Sequence, residues 1–175
     1  MPAVSHEEIF LALGNAFYDV VPEKYRTYCA LTSQISQQAL KYFGIESTVV
    51  ACEVWYVSST GNFVVGNHAT PSSEKWPGHA ICLAEDWLID AALHHFKRQF
   101  ELEVPDLVVK KTFGIDSNVI GRFDAGPQDR IWWHRLPHTI VMKIPQEPED
   151  IVSRCALDLA NEVESRLAGK ERLSA

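Results

Sequence analysis

Three residues of this 175-residue chain combine side chains and local settings suited to nucleophilic catalysis: Cys29, His79 and Asp90. In such chemistry a thiolate attacks a carbonyl carbon, an imidazole takes and returns the proton, and a carboxylate holds the imidazole in one tautomer. The chain order Cys, His, Asp, together with the elements expected around each residue, predicts a Cys-His-Asp catalytic triad. The prediction depends on helices and strands that bring the three side chains to one place.

Cys29 is expected at the start of a helix over residues 27–43. The helix is indicated by apolar residues at every fourth position, namely Leu31, Ile35, Ala39 and Phe43. Gly44 follows, at a position where helices commonly end. Because the first amides of a helix are unpaired and its dipole is positive there, a cysteine at that end is favoured as the thiolate.

His79 and Asp90 are expected at the ends of two short strands, over residues 79–83 and 87–89, which a three-residue turn joins. If these strands pair, the imidazole and the carboxylate are neighbours near one end of a sheet. Residues 67–78 carry Pro71, Pro77 and Gly78 and are expected to form a loop that leads into His79. We therefore expect the His79 side chain to face a cleft.

The remaining patterns place helices at both ends of the chain and strands in its middle. A capping box, Ser5 with Glu8, precedes a helix over residues 7–20, and a last helix carries an apolar stripe from residue 151 to 167. Strands are expected over 47–58, 63–65, 131–136 and 139–144, with a helix over 91–100. Because the strands cluster instead of alternating with helices, the pattern favours one α+β domain over residues 1–175.

Composition excludes several classes of partner. The 16 Lys and Arg residues against 23 Asp and Glu residues give a formal net charge of −7, which argues against nucleic acid and anionic membranes. The chain has no basic start followed by an apolar run, and no apolar stretch near the roughly 18 residues that span a bilayer. We therefore expect a cytoplasmic protein with a small-molecule or peptide substrate and no membrane partner.

No metal or other cofactor is expected. No two of the four cysteines have the CxxC spacing of a zinc or dithiol site, and Cys52, Cys82 and Cys155 lie in apolar surroundings typical of core thiols. His134 and His138 are separated by three residues, but Pro137 between them prevents a helical metal-binding pair.

The order and setting of these motifs resemble the transglutaminase-like superfamily, which includes arylamine N-acetyltransferases and shares the papain-like core. The resemblance covers residues 27–92 and rests on these motifs: Tyr28-Cys29-Ala30, Phe43-Gly44-Ile45, Gly78-His79-Ala80 and Trp87-Leu88-Ile89-Asp90. It implies an α+β fold in which the helix that begins at the cysteine packs on an antiparallel sheet. It also implies acyl transfer through a thioester on Cys29, with His79 as base and acid and Asp90 orienting it.

The chain departs from the papain pattern at Glu23, because papain-type proteases carry a glutamine oxyanion donor at the corresponding position. An ionised carboxylate cannot donate, so the Cys29 amide is the one donor that we can name. Tyr28 and Trp76 are the expected substrate-binding residues, since they flank Cys29 and His79 in the sequence.

Two alternatives stay open at this point. The chain is a catalytically inactive protein of the same fold that binds a peptide or protein, or it is an arylamine-type N-acetyltransferase that uses acetyl-CoA. The sequence does not decide the oligomeric state.

Overall fold

A computed structural model of the chain describes residues 4–59, 61–66, 78–94, 104–114, 117–140 and 142–174. The described α-helices are α1 (His6–Val20), α2 (Cys29–Tyr42) and α3 (Glu149–Ser174), with a 3₁₀ turn at Glu23–Tyr25. The described strands are β1 (Ser47–Val57), β2 (Asn62–Val65), β3 (His79–Ala84), β4 (Trp87–Asp90), β5 (Val108–Lys111), β6 (Val119–Asp124) and β7 (Arg130–Arg135).

The strands form one antiparallel sheet in the order β5-β4-β3-β1-β7-β6, and β2 pairs with β1. The amide of Phe113, just after β5, donates to the carbonyl oxygen of Ile120 in β6 at 2.8 Å. Because this bond joins the two outer strands of the series, the sheet is nearly closed on itself.

Apolar side chains fill both sides of this sheet. One cluster lies between the sheet and the three helices and includes Phe10, Phe17, Leu40 and Leu159. A second cluster lies on the other side and includes Cys52, Ile81 and Trp133. Since side chains alternate along a strand, Ala80 and Cys82 of β3 face the helices while Ile81 faces the second cluster.

Most of the expected elements are confirmed, and the class is α+β. The capping box forms, because the Ser5 side chain accepts from the Glu8 amide while the Glu8 carboxylate accepts from the Ser5 amide. The helix that starts at Cys29, the long strand β1 and the β3–β4 pair lie where the sequence places them. The expected loop over 67–78, apart from Gly78, and the expected helix beyond residue 94 lie outside the described residues.

The strand expected over residues 139–144 is wrong for the residues of this segment that the structure describes, which are irregular. The Ile140 amide donates to the Pro137 carbonyl oxygen at 2.8 Å, so the chain turns there. Farther on, the side-chain amide of Gln34 donates to the Pro145 carbonyl and accepts from the Glu147 amide, at 2.7 and 3.2 Å. These bonds attach the segment to α2 instead of to the sheet.

Among the residues that the structure describes, no helix combines the length and the apolar character that a membrane span requires.

Candidate active site

His79 and Asp90 are hydrogen-bonded in the structure, as the expected strand pairing requires. His79 begins β3 and Asp90 ends β4, and these two strands are antiparallel neighbours. The Nε2 atom of His79 lies 2.8 Å from Oδ2 of Asp90. The two side chains are 1% and 0% exposed, so the pair is withdrawn from water.

Asp90 is held at both oxygens by further donors. The indole Nε1–H of Trp133 donates to Oδ2 at 2.7 Å, and the Ala92 amide donates to Oδ1 at 3.0 Å. Burial alone raises the pKa of Asp90, but the charge of His79 and these hydrogen bonds outweigh it and lower that pKa below its usual 3.8. Asp90 is therefore an ionised and fixed acceptor.

His79 is correspondingly stabilised as the imidazolium. Burial alone lowers the pKa of His79, but the charge and hydrogen bond of Asp90 act against it, and the neighbouring Cys29 side chain adds to the rise. The net effect raises the pKa of His79 from 6.5 to about 10. The other ring nitrogen, Nδ1, is buried and has no hydrogen-bond partner among the described residues.

Cys29 lies where α2 begins, beside the start of β3. Its Sγ atom is 3.9 Å from the carbonyl oxygen of Gly78, the residue before His79. It packs in a small cluster with Ala80 and Ala92, which follow His79 and Asp90 by one and two positions in the chain. The N-cap residue Tyr28 offers no side-chain hydrogen bond to the first turn of α2. The structure thus brings Cys29 to the same end of the sheet as the His79–Asp90 pair.

The other three cysteines carry thiols that are poor nucleophiles. Cys52, Cys82 and Cys155 are free and buried, and burial raises the pKa of each. The pKa of Cys52 is raised further by the charges of Asp90 and Cys29, because Cys52 lies directly opposite His79 in the β1–β3 pair. A thiol whose pKa is raised is protonated at neutral pH and reacts slowly.

Gly66 supports the position of His79 in a way that the sequence did not reveal. It follows β2 with φ of +82°, and a Cβ atom there would lie 2.9 Å from the His79 amide nitrogen and 2.5 Å from the Cys52 carbonyl oxygen. Only glycine fits this close approach of three backbone segments. Trp133 was also missed as a site residue, because its link to Asp90 depends on the distant β1–β7 pairing.

The expected substrate-binding residues have separate outcomes. Tyr28 is 57% exposed beside Cys29, so it is accessible to a ligand. Trp76 lies outside the described residues. Glu23, at the papain glutamine position, lies in the 3₁₀ turn and lines a cavity of about 410 Å³ with Thr27 and His94.

None of Cys29, His79 and Asp90 lines a described cavity, and the expectation that His79 faces a cleft stays a prediction. The 410 Å³ cavity is lined by no triad residue, although Thr27 in its wall is two positions before Cys29. A second cavity of about 570 Å³ includes Val49, which packs against the Cys29 cluster. Cys29 is 9% exposed, which makes it the most exposed of the three candidate residues.

No family model, curated protein or solved structure matches this chain. The geometry around Cys29, His79 and Asp90 is therefore the basis of the functional proposal.

Proposed function

We propose that the protein is a cysteine-dependent acyl-transfer enzyme in which Cys29, His79 and Asp90 form the catalytic triad. The observation that carries the proposal is the state of His79. One ring nitrogen is bound to a buried carboxylate, and the other is buried without a partner beside a cysteine at a helix start. A structural histidine is normally satisfied at both nitrogens, whereas a catalytic one keeps a nitrogen for the reacting group.

In the proposed resting state His79 is the imidazolium and already carries the proton of Cys29 on Nδ1, because Nε2 is bound to Asp90. The thiolate attacks an amide, ester or thioester carbonyl, and the backbone amide of Cys29 donates to the developing oxyanion. The imidazolium then protonates the leaving group, and a thioester remains on Cys29. Water or an amine, deprotonated by the now neutral His79, attacks the thioester and releases the acyl group and the free thiol.

We also propose that the fold is a papain-like core and that the protein is cytoplasmic. The fold proposal is supported by a helix that begins at the candidate nucleophile and packs on β1, β3 and β4 of an antiparallel sheet. The small apolar cluster of Cys29, Ala80 and Ala92 is the contact that fixes the helix start against β3.

One observation favours the catalytically inactive alternative. The His79–Asp90 pair is almost fully buried, and it lines none of the described cavities. A protein of this fold that only binds a peptide would keep the pair as a structural ion pair and would show no acyl transfer.

Trapping of the acyl-enzyme tests the proposal. Protein is mixed with S-phenyl thioacetate, quenched in acid and analysed by intact and peptide mass spectrometry. We expect one acetyl group on Cys29, none in Cys29→Ala, and acetylation at least about a hundredfold slower in His79→Ala, the usual loss for a missing general base. Acetyl-CoA as a second donor distinguishes the arylamine-type acetyltransferase. Acetylation of Cys29 that is absent, or equally fast in His79→Ala, would refute the proposed function.

A further inference from the structure

Aromatic side chains form a row across the face of the sheet beyond the start of α2. Trp55 of β1 lies directly opposite Trp132 of β7, and Trp132 lies opposite Arg122 of β6. The His134 ring lies 5.4 Å from the Trp55 ring and 6.5 Å from the Trp132 ring, between centroids. The guanidinium carbon of Arg122 lies 5.4 Å from the centre of the Trp132 ring. We call these four side chains the aromatic row.

The aromatic row shares its face of the sheet with Cys29. Alternate residues of a strand point to the same side, so Val49, Ala51 and Trp55 of β1 face one way. Val49 packs against the Cys29 cluster, and Ala51 lies opposite Ala80 of that cluster. Trp55 is four positions after Ala51, which is about 13 Å along a strand. The row therefore begins about 13 Å along β1 from the residue that lies opposite Ala80 of the Cys29 cluster, on the same surface.

A ligand on this surface must be recognised through side chains. At Trp55 both edges of β1 are already paired, with Val64 on one side and Trp132 on the other. A peptide therefore cannot add to β1 as another strand at this level. The described helices pack on β1, β3, β4 and β5 and leave β6 and β7 without a substantial helix contact. Trp55 is 39% exposed, so its ring is accessible.

The charges around the aromatic row favour a ligand that has an uncharged ring. Arg122 and Arg130 are both paired to Asp124, at 3.2 and 3.3 Å. Burial lowers the pKa of His134, so its ring is neutral at neutral pH. Glu53 lies opposite His134 and its carboxylate accepts from the Trp55 Nε1–H at 3.1 Å. With this carboxylate and a chain charge of −7, the surface gives no net attraction to a polyanion. A neutral aromatic ring gains stacking and edge contacts from Trp55 without a charged partner.

We propose that the aromatic row is a specificity subsite that binds an aromatic side chain of an extended peptide-like substrate whose reacting carbonyl lies at Cys29, with the ring about four strand positions farther along β1. This inference rests on the proposed function, because it places the reacting carbonyl at Cys29. It names the substrate class as acyl compounds with an aromatic ring three to four residues from the reacting centre.

Alkylating peptides of graded length test the subsite. The probes are iodoacetyl-(Gly)n-Phe amides with one to five glycines, each paired with the Leu amide of equal length. The Cys29 sulfur forms a bond to the methylene carbon, the carbon–iodine bond breaks, and iodide leaves with the electron pair. Because extended chain spans about 3.4 Å per residue, three glycines place the ring about 13 Å from the reacting carbon. We expect alkylation of Cys29 about tenfold faster by the Phe than by the Leu probe at three glycines, a 1.4 kcal/mol preference, and little preference at one or five.

The variants assign the preference to Trp55. Trp55→Leu is expected to remove the Phe preference, and Tyr42→Ala, which changes a 50% exposed ring at the other end of α2, is expected to keep it. The wild-type dependence on spacer length needs no variant, so a folding defect in Trp55→Leu does not prevent the test. Equal rates for Phe and Leu probes at every length, or a preference that survives in folded Trp55→Leu, would overturn the subsite.

Plain iodoacetamide separates failure of the subsite from failure of the proposed function. If it labels Cys29 no faster than the buried thiols, the proposed function fails. The subsite is then read from the NMR signal of the Trp55 Nε1–H during titration with acetyl-(Gly)3-Phe amide. A saturable shift larger than that caused by the Leu peptide supports the subsite, and an unmoved signal or equal shifts refute it.

Discussion

At the scale of single residues, the site is dominated by a buried charge pair whose two pKa values move apart. The pKa of Asp90 is lowered and the pKa of His79 is raised to about 10, although burial opposes both shifts. The opposition is overcome because Asp90 receives three donors and His79 faces a fixed negative charge. Such a pair holds its proton on the ring across the neutral range.

The raised pKa of His79 predicts a specific dependence of stability on pH. Below pH 6.5 both the folded and unfolded states carry the proton, so the stabilisation is complete. As pH rises from 6.5 towards about 10, only the unfolded state loses it, and stability falls by up to about 1.4 kcal/mol per pH unit. We expect guanidinium unfolding to show this decline in the wild type but not in His79→Gln. Parallel profiles for the two proteins between pH 6 and 9 would show that His79 is not held as the imidazolium.

Trp133 is predicted to matter through one hydrogen bond. Trp133→Phe keeps an aromatic ring but removes the donor to Oδ2 of Asp90, so we expect a loss of about 2–4 kcal/mol in the free energy of unfolding. We also expect slower alkylation of Cys29, because Asp90 is then less well fixed. Trp132→Phe, one position away and outside the His79–Asp90 pair, is the matched control in chemical denaturation. It should lower the free energy of unfolding by less. Equal costs for the two variants would assign Trp133 to packing alone.

At the scale of elements, the long strand β1 changes its partner next to the site. Residues 47–52 of β1 pair with β3, and residues 54–57 pair with β2 on the same edge. His79, the first residue of β3, lies opposite Cys52, which is the last β1 residue that pairs with β3. Gly66 follows β2 at the point where β1 changes its partner from β3 to β2. The break in pairing is what lets three backbone segments approach the histidine.

Gly66→Ala is therefore predicted to slow the reaction of Cys29 in addition to destabilising the fold. A non-glycine residue at positive φ costs about 1–2 kcal/mol, and here the new Cβ atom also meets His79 and Cys52 backbone at 2.9 and 2.5 Å. Gly44→Ala is the matched control, since Gly44 has φ of +70° with nothing within 4 Å of a Cβ atom. Both variants should lose stability in thermal unfolding, but only Gly66→Ala should slow Cys29 alkylation by tenfold or more. Similar alkylation rates in both would mean that Gly66 does not position His79.

The sequence reveals those parts of the site that depend on local patterns. The helix start at Cys29 and the hairpin that joins His79 to Asp90 follow from apolar spacing and a short turn. The hydrogen bond from Trp133 to Asp90 does not follow from local patterns. Strand β7 pairs with β1 across more than seventy intervening residues, and no local signal fixes that register. The strand expected at 139–144 is wrong for its described residues, and the chain just after it is hydrogen-bonded to the Gln34 side chain on a distant helix, which no local pattern reveals.

At the scale of the whole molecule, the proposed triad joins side chains from both sides of the sheet. Cys29 packs with Ala80 on the helix side, whereas Asp90 is bound by Trp133, which belongs to the cluster on the other side. Cys29 lies beside His79 because His79 is the first residue of β3, and the Cys29 sulfur is 3.9 Å from the carbonyl oxygen of the preceding Gly78. The packing of α2 on β3 thus places the proposed nucleophile, on the helix layer, beside the proposed base, on the sheet.

The most direct test is the rate at which native protein is alkylated by iodoacetamide at pH 7, followed at each cysteine by peptide mass spectrometry. We predict that Cys29 reacts well ahead of Cys52, Cys82 and Cys155, and that His79→Gln slows Cys29 by tenfold or more without changing the other three. Exposure alone would also favour Cys29, so the His79→Gln comparison decides. An unchanged Cys29 rate in folded His79→Gln would contradict the triad.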